Sequence, residues 1–204
     1  MRLPLILVLL AALLPVFFGK TRSAPFWLAV QGAALAWNNA VHHEAAGLHA
    51  MASLAEIVVV RAVIAPLLLR RAIRRRSEPN IELMPSNLFT WVIGITLVVL
   101  AFNFGGAAME DVPALALGVV GGMVALSLLL LSTNNAPPAQ LVAVLFIENA
   151  IAVFESLLPE PWPWPVHAAL AAVYLATVAV GCWLIGTPQA KAPALAPRAE
   201  GAAP

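Results

Sequence analysis

Residues 145–159 read LFIENAIAVFESLLP, a run apolar enough for the interior of a lipid bilayer that still carries two carboxylates, Glu148 and Glu155. The acids are seven residues apart, which is two helical turns, and only about 20° separates them around an α-helix. Both therefore look toward one side of whatever the helix packs against. A charge at the centre of a bilayer costs on the order of 3 kcal/mol on insertion scales, so an acid in such a run is a functional candidate by default.

The rest of the chain is of the same kind. Of its 204 residues 62% are hydrophobic and 10% charged, and the mean hydropathy is +0.91. That composition is far from a soluble domain and predicts an integral membrane protein. With about 17–25 apolar residues needed per crossing, seven spans emerge, roughly 3–19, 24–41, 48–69, 87–104, 113–131, 140–158 and 165–186. The expected fold is thus an all-α bundle of about seven transmembrane helices over residues 1–186, followed by a disordered Pro- and Ala-rich cytoplasmic tail, 187–204. Turn chemistry or charge marks each break, as in Gly105-Gly106, Asn134-Asn135-Ala136-Pro137-Pro138 and Pro161-Trp162-Pro163. The first span has a second reading as a signal peptide with a cleavage site near Ser23-Ala24. Lys20 and Arg22 argue against it, because they follow the apolar run instead of preceding it.

Charge sets the expected orientation. Arg70, Arg71, Arg74, Arg75 and Arg76 crowd into seven residues, and placing them in the cytoplasm brings Lys20, Arg22, Lys191 and Arg198 to the same side. Nine of the eleven basic residues then lie inside, Arg2 lies outside and Arg61 falls within a span. The positive-inside bias predicts an amino terminus outside the cell membrane and a cytoplasmic carboxyl terminus. Trp162 and Trp164 suit an outer interfacial anchor. A basic run placed directly after an apolar span is a topology marker and does not call for nucleic acid. Cys182 is the only cysteine, so there is no disulfide framework. No CxxC, P-loop or dinucleotide glycine pattern is present, and no cofactor is expected. His42, His43, Glu44 and His49 fit no zinc spacing and read as a polar outer loop able to titrate near an unperturbed pKa of about 6.5.

Three further features fall inside the spans. Glu148, about eight residues into its helix, can exchange a proton with partners across the bundle, which is the chemistry of a relay. Glu155, close to Leu158-Pro159, either shares that role or solvates the outer helix end. In SLAEIVVVRAVIAPLLLRR, residues 53–71, Glu56 and Arg61 are five apart, about 140° around an α-helix, and are expected not to pair with one another but to meet partners on other helices. Arg61 could alternatively snorkel toward Arg70, about 13 Å away along the helix. Pro66 frees a carbonyl and is expected to kink the helix.

Two stretches resemble a known family. VVRAVIAPLLLRRAIRR (59–75) is similar to its Lys followed by Ile-Pro and a basic helix end, and QLVAVLFIENAIAV (140–153) to its Gln followed by Met-Glu-Asn-Gly. The family is component E of the hydrogenase-4 and formate hydrogenlyase type, related to subunit K of NADH:quinone oxidoreductase and to the corresponding component of Mrp-type sodium/proton antiporters. The resemblance covers the chain to about residue 186. It implies a non-catalytic membrane subunit beside antiporter-like subunits and a peripheral redox module, contributing a buried carboxylate to proton or cation translocation. Residue by residue, Arg61 stands for the family's intramembrane Lys, Pro66 for its Pro, Gln140 for its Gln, and Glu148-Asn149 for its Glu-Asn. The chain departs from the pattern at residues 134–138, where basic residues are replaced, and near Val173, where an acid is missing and Glu155 is the substitute at hand. Two other classes stay open, a structural scaffold whose acids only pair with partner subunits and a free-standing secondary transporter. The chain lacks the internal repeat expected of the latter.

Overall fold

The computed structural model of the chain describes residues 2–42, 48–75, 80–85, 87–106, 111–158 and 162–187. His43, Glu44, Arg76, the expected tail beyond 187 and the side chains of His42 and His49 lie outside the described residues. The described chain is all-helical apart from one isolated bridge between Lys20 and Glu82. In order come α1 (Arg2–Phe18), α2 (Ala24–His42), α3 (Leu48–Glu56), a π-helical segment (Ile57–Ile64), α4 (Ala65–Arg75), α5 (Leu88–Phe104), α6 (Val112–Thr133), α7 (Pro137–Glu155) and α8 (Trp164–Gly186). The α3, π and α4 pieces are consecutive and form one long helix, so the described chain makes seven helices at the expected places.

The seven are not equivalent as membrane spans. Met51–Arg75, Val112–Thr133, Pro137–Glu155 and Trp164–Gly186 are long and apolar enough to cross a membrane. Helices α1 and α5 have 17 residues each, about 25 Å at helical rise against a hydrocarbon core of about 30 Å. Helix α2 is longer but interrupts its apolar run with Gln31, Asn38 and Asn39. Two boundaries also differ from expectation. The third helix continues through the arginines to Arg75, because Arg and Leu are good helix formers and no breaker intervenes. Helix α7 starts at Pro137, where proline's missing N–H costs nothing, and stops at Glu155. Asn87 and Asp111 cap α5 and α6, their side chains accepting from the N–H groups of Thr90 and Ala114.

Helix α7 packs between α6, α8 and α2, while α1 packs on α2 and α6. Helix α5 leans chiefly on α6, and α8 lies against α7 and α4. Leu5, Val8, Leu28, Met123, Leu126, Leu145, Phe146 and Val153 fill the centre. Large apolar side chains also face outward on the peripheral helices, among them Phe89, Ile95 and Val99 of α5 and Val173, Val180 and Trp183 of α8. A helix hydrophobic all round suits a lipid surrounding better than water.

One end of the bundle is tied together by backbone. Thr21 N donates to Ile81 O at 2.9 Å and Leu83 N to Gly19 O at 3.1 Å, and Asn134 Nδ2 donates to Leu83 O at 2.7 Å. The loops after α1, after α4 and after α6 therefore meet, and Lys20 and Arg22 share an end with Arg70, Arg71, Arg74 and Arg75.

Candidate functional site: a buried polar cluster around Arg61

Arg61 is the centre of the site. It is 6% exposed, and its guanidinium points into the bundle instead of snorkelling along the helix toward Arg70. Its Nε donates to Glu56 Oε1 at 3.2 Å. Its Nη1 donates to the Glu148 backbone carbonyl and to Asn149 Oδ1, each at 3.1 Å. Its Cζ lies 4.4 Å from the centroid of the Tyr174 ring, a cation–π contact in a desolvated place.

The Glu56–Arg61 pair corrects the expectation that these residues point apart. On an α-helix, positions i and i+5 do diverge. Residues 57–64 are π-helical, and an i→i+5 repeat sets residue i+5 above residue i as an α-helix sets i+4. The backbone bonding follows suit, with Ala65 N donating to Val60 O. The wide turn ends two residues before Pro66, which has no N–H to give the carbonyl of Ala62. Pro66 thus sits just past the π-to-α junction, buried.

From Arg61 the polar contacts run through the bundle. Asn149, wholly buried, donates through Nδ2 to Gln31 Oε1 at 2.7 Å. Gln31, also wholly buried, reaches the Val8 carbonyl of α1 at 3.5 Å. The Glu148 carboxylate turns the other way and accepts from Thr177 Oγ1 of α8 at 2.8 Å. Helices α1, α2, the π segment, α7 and α8 thus all contribute. Glu56 Oε2, Glu148 Oε2 and the Tyr174 hydroxyl are buried with no hydrogen-bond partner among the described residues. Burying polar oxygens this way is costly.

Close approach of α2 makes the cluster possible. A Cβ on Gly32 would lie 2.7 Å from the Cα and N of Ala62 and 2.8 Å from the carbonyl carbon of Arg61. Only glycine lets the two backbones touch, which brings the neighbouring Gln31 within reach of Asn149.

Glu155 lies elsewhere. It ends α7, and its Oε1 is 3.3 Å from His167 Nδ1 near the start of α8. Both acids on the shared face of α7 therefore meet α8, at separate points. Gln140 lies in the first turn of α7, half-buried and about 12 Å along the helix from Glu148, so it stands apart from the cluster. Sequence reasoning missed Gln31, Tyr174, Thr177 and His167. Gln31 was detectable as a polar residue in an apolar helix, and Tyr174 as the only tyrosine. Thr177 carried no signal, since threonine is common in apolar helices.

Fold and site together define an all-helical bundle, four of its helices able to span a membrane, built around a desolvated ion pair with a second carboxylate beside it. Compared with protein-family models, curated proteins and solved structures, the chain gives no match.

Proposed function

We propose that the chain is a non-catalytic membrane subunit of a hydrogenase-4-like or complex-I-like assembly, in which Glu148 carries a proton along an ion-translocating path. The observation that supports this reading best is the charge count around Arg61. Two carboxylates, Glu56 and Glu148, share one guanidinium, and only Glu56 is paired with it. One proton on Glu148 makes the cluster neutral, and its departure leaves one negative charge, so a proton can arrive and leave without dismantling the Glu56–Arg61 pair. The unpartnered Oε2 is the atom on which it would ride. The resemblance of residues 59–75 and 140–153 supports the assembly, its antiporter-like neighbours and its peripheral redox module. Charge supports the topology.

Two experiments test the proposal. Reporter fusions after residues 76 and 190 should read cytoplasm and a fusion after 110 the outside; residues 76 and 110 on the same side would end the seven-span topology. Glu148→Gln keeps an acceptor for Thr177 but cannot titrate. It should leave assembly intact while coupled proton translocation falls about tenfold or more, as expected when a positioned proton carrier is removed. Glu155→Gln, at the helix end, should cost less. The scaffold reading has its own support, because the bond from Thr177 also ties α8 to α7. It forecasts weakened assembly with undiminished pumping, and an assembled, fully pumping Glu148→Gln complex would refute the relay.

A further inference from the structure

At the end of the bundle where the arginines gather, two adjoining pockets open between the start of α2 and the end of α4. One, of about 400 Å³, is lined by Arg22, Pro25, Arg70, Ile73 and Arg74. The other, of about 480 Å³, shares Arg22, Pro25 and Arg70 and continues along an apolar groove of Phe26, Ala29, Val63 and Leu67. Phe26, Val63 and Leu67 are exposed, so the groove opens on the outside of the bundle. Arg22 is held in place by its backbone N–H, which donates to Asn80 Oδ1 at 3.2 Å, and by the bridge between Lys20 and Glu82 beside it. Arg70 and Arg74, one turn apart on α4, present their side chains to the same space. No carboxylate among the described residues pairs with Arg22, Arg70 or Arg74. The amino-terminal end of α2 adds potential of the same sign.

We propose that these pockets bind one anionic phospholipid, its phosphate seated among Arg22, Arg70 and Arg74 and an acyl chain lying along Phe26, Ala29, Val63 and Leu67. Three convergent guanidiniums without carboxylates match an anionic head group in charge and in hydrogen-bonding capacity. A soluble anion would use the arginine pocket alone and leave the groove exposed, whereas a lipid fills both. Basic pockets between membrane helices on the cytoplasmic side are suited to such head groups. The site rests on the reading that the bundle is embedded in a membrane with its arginine end at one surface.

The test uses the full chain reconstituted in vesicles and then purified in mild detergent. Phosphatidylglycerol should bind in preference to phosphatidylcholine, and millimolar inorganic phosphate should not displace it. Replacing Arg22, Arg70 and Arg74 together by Gln should weaken phosphatidylglycerol binding on the order of a hundredfold, in line with three lost contacts at the surface. Arg71→Gln with Arg75→Gln, off the pocket, should change it little. Ala29→Phe, which fills the groove without altering charge, should weaken both lipids, and unchanged phosphatidylcholine binding in the triple arginine variant shows that it folds. A chain released from vesicles by alkaline carbonate would remove the membrane reading and the lipid site with it. An embedded chain that binds both lipids alike, loses as much from the Arg71 and Arg75 changes, or gives up lipid to phosphate would overturn the lipid site alone.

Discussion

Arg61→Met should melt on the order of 10 °C below the wild type, and about half of that loss should return when Glu56→Gln is added. Removing one partner of a buried ion pair costs about 3–5 kcal/mol because the other charge stays behind uncompensated. At roughly 2–4 °C per kcal/mol for a chain of this length, the expected shift follows. Methionine keeps most of the volume but leaves Glu56 without its guanidinium partner and Asn149 Oδ1 without its donor. Glu56→Gln removes the stranded charge, so the double variant should suffer chiefly from the lost bond to Asn149. Cys182 is the only cysteine and is partly buried, so a thiol-reactive fluorophore can follow unfolding in detergent. A single variant that melts with the wild type, or a double variant that melts lower than either single, would show that the pair does not carry the stability assigned to it.

Gly32→Val should abolish the folded bundle, and even Gly32→Ala should destabilise it. On an exposed helix Gly→Ala is stabilising by about 1 kcal/mol. Here the sign reverses, since the added carbon would stand 2.7 Å from backbone atoms of Ala62, where carbon pairs want about 3.5–4 Å. Backbone cannot rotate aside as a side chain can, so α2 must retreat by about 1 Å to restore that contact distance. A shift of that size breaks the 2.7 Å bond between Asn149 and Gln31 and loosens Arg61 behind it. Overpacking typically costs about 1–3 kcal/mol, and the larger valine should exceed that range. The same melting assay measures both variants. A Gly32→Ala protein more stable than the wild type would mean that the two helices do not touch there.

The two predictions meet at one structural device. The π segment turns Glu56 and Arg61 onto one side, and the glycine lets α2 close over that side. Together they enclose an ion pair in a desolvated place while leaving Glu148, one helix further on, with an oxygen free to hold a proton. Wide π turns of this kind recur at functional sites, because an inserted residue re-aims side chains without ending the helix.

Much of this was legible along the chain. Apolar run length and turn residues marked seven helices, since each span must satisfy its backbone within itself and so declares itself locally. Positions 56, 61, 148 and 155 stood out for the same reason, as charge inside an apolar run is visible without a fold. What the residues around them do was decided only by tertiary structure. The i→i+5 register that pairs Glu56 with Arg61 leaves no trace in an apolar pattern, which looks alike at either helical pitch. The contacts of Arg61 with Asn149, of Asn149 with Gln31 and of Glu148 with Thr177 join residues 88, 118 and 29 positions apart, and spacing along a helix says nothing about which face a different helix presents. Gly32 reads in sequence as a weak helix former, and only the backbone of Ala62 packed against it makes it indispensable.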